Sequence, residues 1–244
     1  MSVMFPGLSP EAVRKRHLRY AQALADDGVE FELLAGPHRP AVEALLNASL
    51  AEAAQAAGVD SFVPALGAFA PAADSTGGDV PIDTAHGASG AGDAEDAAGQ
   101  ARPEAAQPAD RPDGLTLLPQ DSGIVVHRAG TVLAAAVVSA LQFDGDETRT
   151  AVFLRGLGTH MPYRGRGIAT VALGLIPQVL SSAGLPTKSQ VITRIPTVRA
   201  SFFHRAGYMV EGAEAQVPEP IAELAQGLLP DFGAESRWAH QSLV

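Results

Sequence analysis

Hydrophobic and polar positions change period several times along the chain, and each change predicts an element. From Pro10 the pattern is helical as far as about Gly28, with Ser9 suited to the N-cap and Pro10 to the first turn. Val29, Phe31 and Leu33 then alternate with Glu30 and Glu32, the period of a strand with one buried face. After Gly36 and Pro37 the helical spacing returns. Val42, Leu45, Leu46, Leu50, Ala53 and Ala57 form one stripe, with Glu43, Asn47 and Glu52 opposite it.

Farther along, the β-rich runs 123–128 and 131–143 meet at Ala129-Gly130, and Asp144-Gly145-Asp146 turns the chain into a third run, 149–159. These predict an antiparallel meander. Residues 168–183 read as a helix kinked at Pro177, whose ring removes a backbone hydrogen bond. A strand at 190–195 and a short helix at 197–206 follow, the helix stopped by Gly207 at the C′ position. Two closing strands, 208–213 and 236–243, flank a helix around 221–229. The strand beginning at Val29 finds no partner before Gly123, so both sides of the intervening stretch should share one sheet. Loop closure costs grow only logarithmically with length and do not prevent this.

That intervening stretch changes the picture. Residues 68–111 are rich in Ala, Gly, Pro and Asp and carry almost no large apolar side chain after Phe69. Such a composition cannot bury enough area to offset its conformational entropy, and a disordered insertion is expected. Between 66 and 113 nine acids stand against two arginines, so seven of the ten net negative charges lie there. It reads as a spacer, with an acidic interaction segment as the functional alternative. The domain reading is a helix over 1–28 and one domain over 29–244, interrupted by 68–111. A net charge of −10 argues against nucleic-acid binding, which needs a basic face. The chain has no cysteine, which excludes a cysteinyl acyl-enzyme and cysteine-ligated zinc. The start of the sequence lacks the basic and apolar regions of a signal peptide, and no apolar run approaches the roughly 20 residues of a membrane span. A cytoplasmic protein that avoids membranes is expected.

The most informative stretch is a strand that enters Arg164-Gly165-Arg166-Gly167-Ile168-Ala169 and leaves as an apolar helix. Glycines let the backbone approach a ligand, a helix start offers unpaired N–H groups, and its dipole favours negative charge. Arg164 and Arg166 add cationic charge. A phosphate or pyrophosphate is the matching anion. A nucleoside-triphosphate loop would need Gly-Lys-Ser/Thr, which is absent. A dinucleotide fold would want a third glycine where Thr170 stands, after the first strand of a parallel sheet.

The pattern Arg164, Gly167, Ala169, preceded by Tyr163 and a strand, resembles the GNAT superfamily of acyl-CoA-dependent N-acetyltransferases, and the order of elements from Val29 onward is similar to that family. Phe202 to Tyr208 adds a segment like its aromatic, three residues, Gly, aromatic signature. The resemblance implies an α/β (α+β) fold with a mixed, mostly antiparallel central sheet, flanking helices and two splayed cofactor strands. It implies acetyl-CoA as co-substrate and no metal. The pyrophosphate would lie at Arg164, Gly165, Arg166, Gly167, Ile168 and Ala169, and backbone groups of Leu157 and Thr159 would pair with the pantetheine amides. The implied partner is a small-molecule or peptide amine, and a homodimer is an admissible assembly. Many members carry a tyrosine where this chain has Phe203, and an asparagine often opens the helix where this chain reads Pro196-Thr197-Val198.

The implied reaction is direct attack of a neutral amine on the thioester, without an acyl-enzyme. His160 is the candidate base because imidazole titrates near neutrality. The plainer reading is a loop histidine that packs or hydrogen-bonds, and His204 and Glu211 are weaker candidates of the same kind. The Phe202-Phe203 pair is expected in the core rather than in a substrate box, and Arg155 is expected to face solvent, with the acceptor pocket as its alternative. Three functions stay open: an active N-acetyltransferase, an acyl-CoA-binding sensor or interaction module, and an interaction protein working through the acidic insertion.

Overall fold

A computed structural model describes residues 10–60, 62, 114–143, 146–185, 190–215 and 217–242. The insertion expected at 68–111 lies outside them. Helix α1, Pro10–Asp26, begins at the expected proline and leads into strand β1, Glu30–Leu33. Helix α2, Arg39–Ala57, follows, and then the hairpins β2, Ser122–Arg128, β3, Thr131–Phe143, and β4, Asp146–Thr159. Pro177 does not kink one helix; it lies in the first turn of a second. Helix α3, Ile168–Gly174, ends before α4, Ile176–Ser182, because the ring tolerates a helix start but not its interior. Strand β5, Gln190–Pro196, helix α5, Ala200–Arg205, strand β6, Met209–Val210, helix α6, Glu219–Ala225, and strand β7, Ser236–Ser242, complete the described elements.

The seven strands form one mixed, mostly antiparallel sheet in the order β1-β2-β3-β4-β5-β7-β6. Strand β1 pairs antiparallel with β2, Glu30 facing His127, which joins the two sides of the insertion as the loop-closure argument requires. Among the described strands only β4 and β5 run parallel. The last strand, β7, enters between β5 and β6.

Each face of the sheet has its own core. On one, α1, α3 and α4 bury Leu24, Ile168, Val171, Ile176 and Leu180 against Val126, Leu133 and Val138. On the other, Val42, Leu46 and Leu50 of α2 pack on Val125, Ala135 and Val137, with Phe232 at one end. The α2 side depends on two glycines of β4. A Cβ on Gly156 would stand 3.0 Å from Leu46 methyl groups, and one on Gly158 would stand 2.9 Å from Ser49 Oγ and 3.2 Å from the Leu45 carbonyl oxygen. Helix α2 therefore rides directly on the β4 backbone.

The polar row of α2 does not simply face solvent. Leu117 N–H donates to Glu43, Asn47 exchanges two hydrogen bonds with the Leu115 backbone, and Glu52 takes an arginine. Glu43 and Asn47 anchor the chain where it re-enters the described structure, and Glu52 holds a residue farther along. No described helix is long and apolar enough to cross a membrane.

Candidate functional site

Strands β4 and β5 pair at Val152 with Val191 and at Phe153 with Ile192, and then they part. The Thr193 hydroxyl donates to the Leu154 carbonyl oxygen at 2.8 Å, at the apex of the fork. From there to Thr159, the β4 edge facing β5 has no partner strand. The opening is a cavity of about 520 Å³, bounded by β4, the glycine loop, α2, the end of β5 and α5.

A bulge in β4 sits at the apex. Val137 faces Gly156 and Val138 faces Leu154, so Arg155 is an extra residue without a cross-strand partner. Strand alternation puts Arg155 on the same face as the buried Ala151 and Phe153, and it is 1% exposed rather than solvated as expected. Its guanidinium pairs with Asp121 and donates to the carbonyl oxygens of Thr116, at 3.1 Å, and Leu228, at 3.3 Å. Asp121 also accepts from the Ser139 hydroxyl and, at 2.7 Å, from Leu118 N–H. A buried charge pair in which each guanidinium nitrogen has an acceptor thus lies in the wall of the cleft.

The glycine loop follows a short 3-10 turn in which Tyr163 N–H donates to the His160 carbonyl oxygen and Arg164 N–H to that of Met161. Gly165 and Gly167 have φ of +76° and +79°, the left-handed region that a side chain disfavours. A Cβ on Gly165 would meet nothing within 4 Å, whereas one on Gly167 would lie 3.0 Å from the ring of Tyr20. The first bond of the following helix runs from Val171 N–H to the Gly167 carbonyl oxygen at 3.0 Å, so the N–H groups of Ile168, Ala169 and Thr170 precede any intrahelical acceptor.

The structure brings most of the expected residues into the cavity wall. Leu157 and Thr159 line it from β4, and Arg164, Gly165, Gly167, Ile168 and Ala169 line it from the loop. Arg166 does not; it is exposed and lies over the Tyr163 ring, 5.6 Å from its centroid. His160 also stands outside the wall, its side chain exposed and its ring 6.2 Å from that of Tyr163. His204 and Glu211 are outside it as well, Glu211 being bonded to His240 at 2.8 Å. Phe203 is buried in the core and Phe202 half-buried, and both also border the cavity.

The electrostatics are one-sided. Five arginines line the cavity, namely Arg155, Arg164, Arg194, Arg199 and Arg205, and among the described lining residues there is no Asp, Glu or His. Three of them have carboxylate partners just outside the wall. Asp121 pairs with Arg155, Asp231 with Arg194 at 2.8 Å, and Glu52 with Arg164. Hydrogen bonds from Arg164 hold the Glu52 carboxyl below its ordinary range, against a smaller opposing effect of burial, and the charges of Arg164 and Arg199 add to the lowering. Tyr208 lies in the core beside Phe203, where burial pushes its phenol above the ordinary range.

Four of these residues escaped sequence reasoning. Glu52 lies 112 positions from its partner, the predicted Arg164, Asp121 sits in a turn without periodicity, Arg155 has its buried partner 34 positions away, and Tyr20 belongs to a helix whose target lies far along the chain. Only the run of glycines offered a local signal at Tyr20's partner.

No family model and no curated protein sequence matches the chain. Several solved structures are similar to it. Nourseothricin acetyltransferase is 13% identical, over 89% of this chain and 99% of that one, with a TM-score of 0.40. A GNAT-family acetyltransferase from Streptococcus pneumoniae is 11% identical, over 51% of this chain and 68% of that one, with a TM-score of 0.34. The ribosomal-protein-S18-alanine N-acetyltransferase from Escherichia coli is 10% identical, over 52% and 72%, with a TM-score of 0.34. These likenesses are remote in sequence and loose in superposition.

Proposed function

We propose that the chain is an acyl-CoA-dependent N-acyltransferase that moves an acetyl group from acetyl-CoA to a primary amine of a small molecule or peptide, within a ternary complex. The fork between β4 and β5 carries this reading. It leaves a strand edge without a partner among the described residues, and a short 3-10 turn leads from that edge into a glycine loop and a helix start. Backbone groups at Leu157 and Thr159 suit the amides of a pantetheine arm, and the loop N–H groups suit a pyrophosphate. The fit is supported by the open space at Gly165 and by a wall with five arginines and no acid among its described residues.

Bound there, acetyl-CoA would supply an activated acyl group and a thiolate as leaving group. The chain's own residues hold, orient and desolvate the reactants. A backbone N–H of β4 is the donor we assign to the charge that develops on the acyl oxygen. With no imidazole or carboxylate in the described wall, the amine's proton leaves through water, relayed by hydroxyls such as that of Ser49. His160, exposed outside the wall, is assigned no contact with the amine.

A second reading is an acyl-CoA-binding module with little turnover. It is favoured by Phe203, which stands at the cavity where a proton donor would be expected and has none to give. Calorimetry with acetyl-CoA and release of free CoA over a panel of amines separate the two. Binding with release supports the transferase, binding without release supports the module, and no binding removes both.

A further inference from the structure

We propose that the outer edge of the sheet holds a divalent transition-metal site of the zinc class, formed by Glu30, Glu32 and His127. Strand pairing builds it. Glu30 lies directly opposite His127 on the β1-β2 ladder, and Glu32 is two residues along on the same face. The ligand atoms of the three lie within 4.8 Å of one another. His127 Nε2 is 3.3 Å from one Glu32 oxygen and 3.9 Å from one Glu30 oxygen. Ligands held at about 2.0–2.1 Å around a tetrahedral zinc ion stand about 3.3 Å apart, so small side-chain movements would close the set.

Facing carboxylates at a strand edge are common without an ion, and the decisive observation is the histidine. His127 is 8% exposed, and neither of its ring nitrogens makes a hydrogen bond. A buried imidazole without a formed hydrogen bond is costly, and its Nε2 points among carboxylate oxygens that stand at ion-pair rather than hydrogen-bond geometry. His38, from the turn before α2, stacks on it with centroids 5.8 Å apart and places its own Nε2 3.6 Å from Glu32. His38 thus packs against one side of the ring. One imidazole and two carboxylates suit zinc, cobalt or nickel better than magnesium or calcium, which prefer oxygen alone. None of these four residues borders the cleft, so the site is separate from acyl transfer.

The test uses the untagged full chain, dialysed against a chelator and titrated with zinc chloride in a non-coordinating buffer. One equivalent should bind and raise the melting temperature, while magnesium chloride should give no heat. His127→Gln should weaken zinc binding by about 100-fold or more, since loss of even an outer-shell partner costs 10–100-fold. Glu32→Gln, at an exposed edge position, should do the same without endangering the fold. His240→Gln, which removes another His–Glu pair, should leave the stoichiometry unchanged. A titration without binding, or binding that survives both His127→Gln and Glu32→Gln, overturns the proposal and leaves only a salt-bridge cluster.

Discussion

Both oxygens of Glu52 on α2 accept hydrogen bonds from the Arg164 guanidinium, while Arg164 Nε donates to the Thr159 carbonyl oxygen at 3.1 Å. The arginine assigned by its position in the loop to a phosphate is therefore also a clasp. It fastens the helix that rides on β4 to the start of the glycine loop. Three of its five donors are engaged, which leaves two for a ligand.

Replacing Glu52 by Gln should loosen that clasp in a pH-dependent way. The folded-state pKa of Glu52 is lowered, so its contribution is present above the unfolded value of about 4.3 and is lost as pH falls through the folded value. The pair is about one-third exposed and screened, so the gap between parent and variant at pH 7 should be at most about 1 kcal/mol. Denaturant unfolding at pH 7 and at strongly acid pH measures it. A gap that persists in acid would show that the carboxylate charge is not the cause.

The Arg155–Asp121 pair should matter more. Both side chains are fully withdrawn from water, and Asp121→Ala would strand a buried guanidinium at about 3–5 kcal/mol. Arg155→Met together with Asp121→Leu should recover much of that loss, because an apolar pair removes both charges at once. Thermal unfolding of the single and double variants decides it. A single variant as stable as the parent would mean that water reaches the pair.

His160→Gln should leave the pH–rate profile in place, because the ring lies outside the wall. A general base is worth roughly 10²–10⁴ in rate. A loss of that size, confined to pH values above the imidazole pKa, would return His160 to the proton path.

Much of this architecture was legible because it rests on local periodicity. Alternation at 29–33, the helical stripe from Val42 to Ala57 and the turn at Ala129-Gly130 each specify an element by neighbours alone. The single sheet followed from the lack of a nearer partner for β1. What stayed hidden depends on distant contacts. Glu43, Asn47 and Glu52 read as a solvated face, yet they bind backbone and arginine from other parts of the chain. Arg155 follows Ala151 and Phe153 on a face that the fold buries, but nothing near it in sequence announces the carboxylate of Asp121 that pairs with it. The glycine loop was visible, whereas the carboxylate that holds its first arginine was not.

Gly165 and Gly167 give the sharpest test of the loop, because they share a backbone conformation but not surroundings. Each has φ near +80°, so any L residue there costs roughly 1–2 kcal/mol of strain. At Gly165 a methyl group enters open space, and Gly165→Ala should pay little beyond that strain and keep α1 in place. At Gly167 the same methyl group would meet the Tyr20 ring at 3.0 Å, so that ring, and the stretch of α1 that carries it, must give by a few tenths of an ångström. Gly167→Glu should accordingly lower the melting temperature more than Gly165→Ala. On the proposed reading it should also abolish acetyl-CoA binding, since its carboxylate would stand at the helix start proposed to receive the anion, where charge effects reach about 1 kcal/mol even when exposed. The Tyr20→Ala background separates these effects by making room for the side chain. There Gly167→Glu should regain stability without regaining acetyl-CoA affinity. If calorimetry instead shows parental affinity in the double variant, the loop is not the anion site and the acyl-CoA reading of the cleft fails with it.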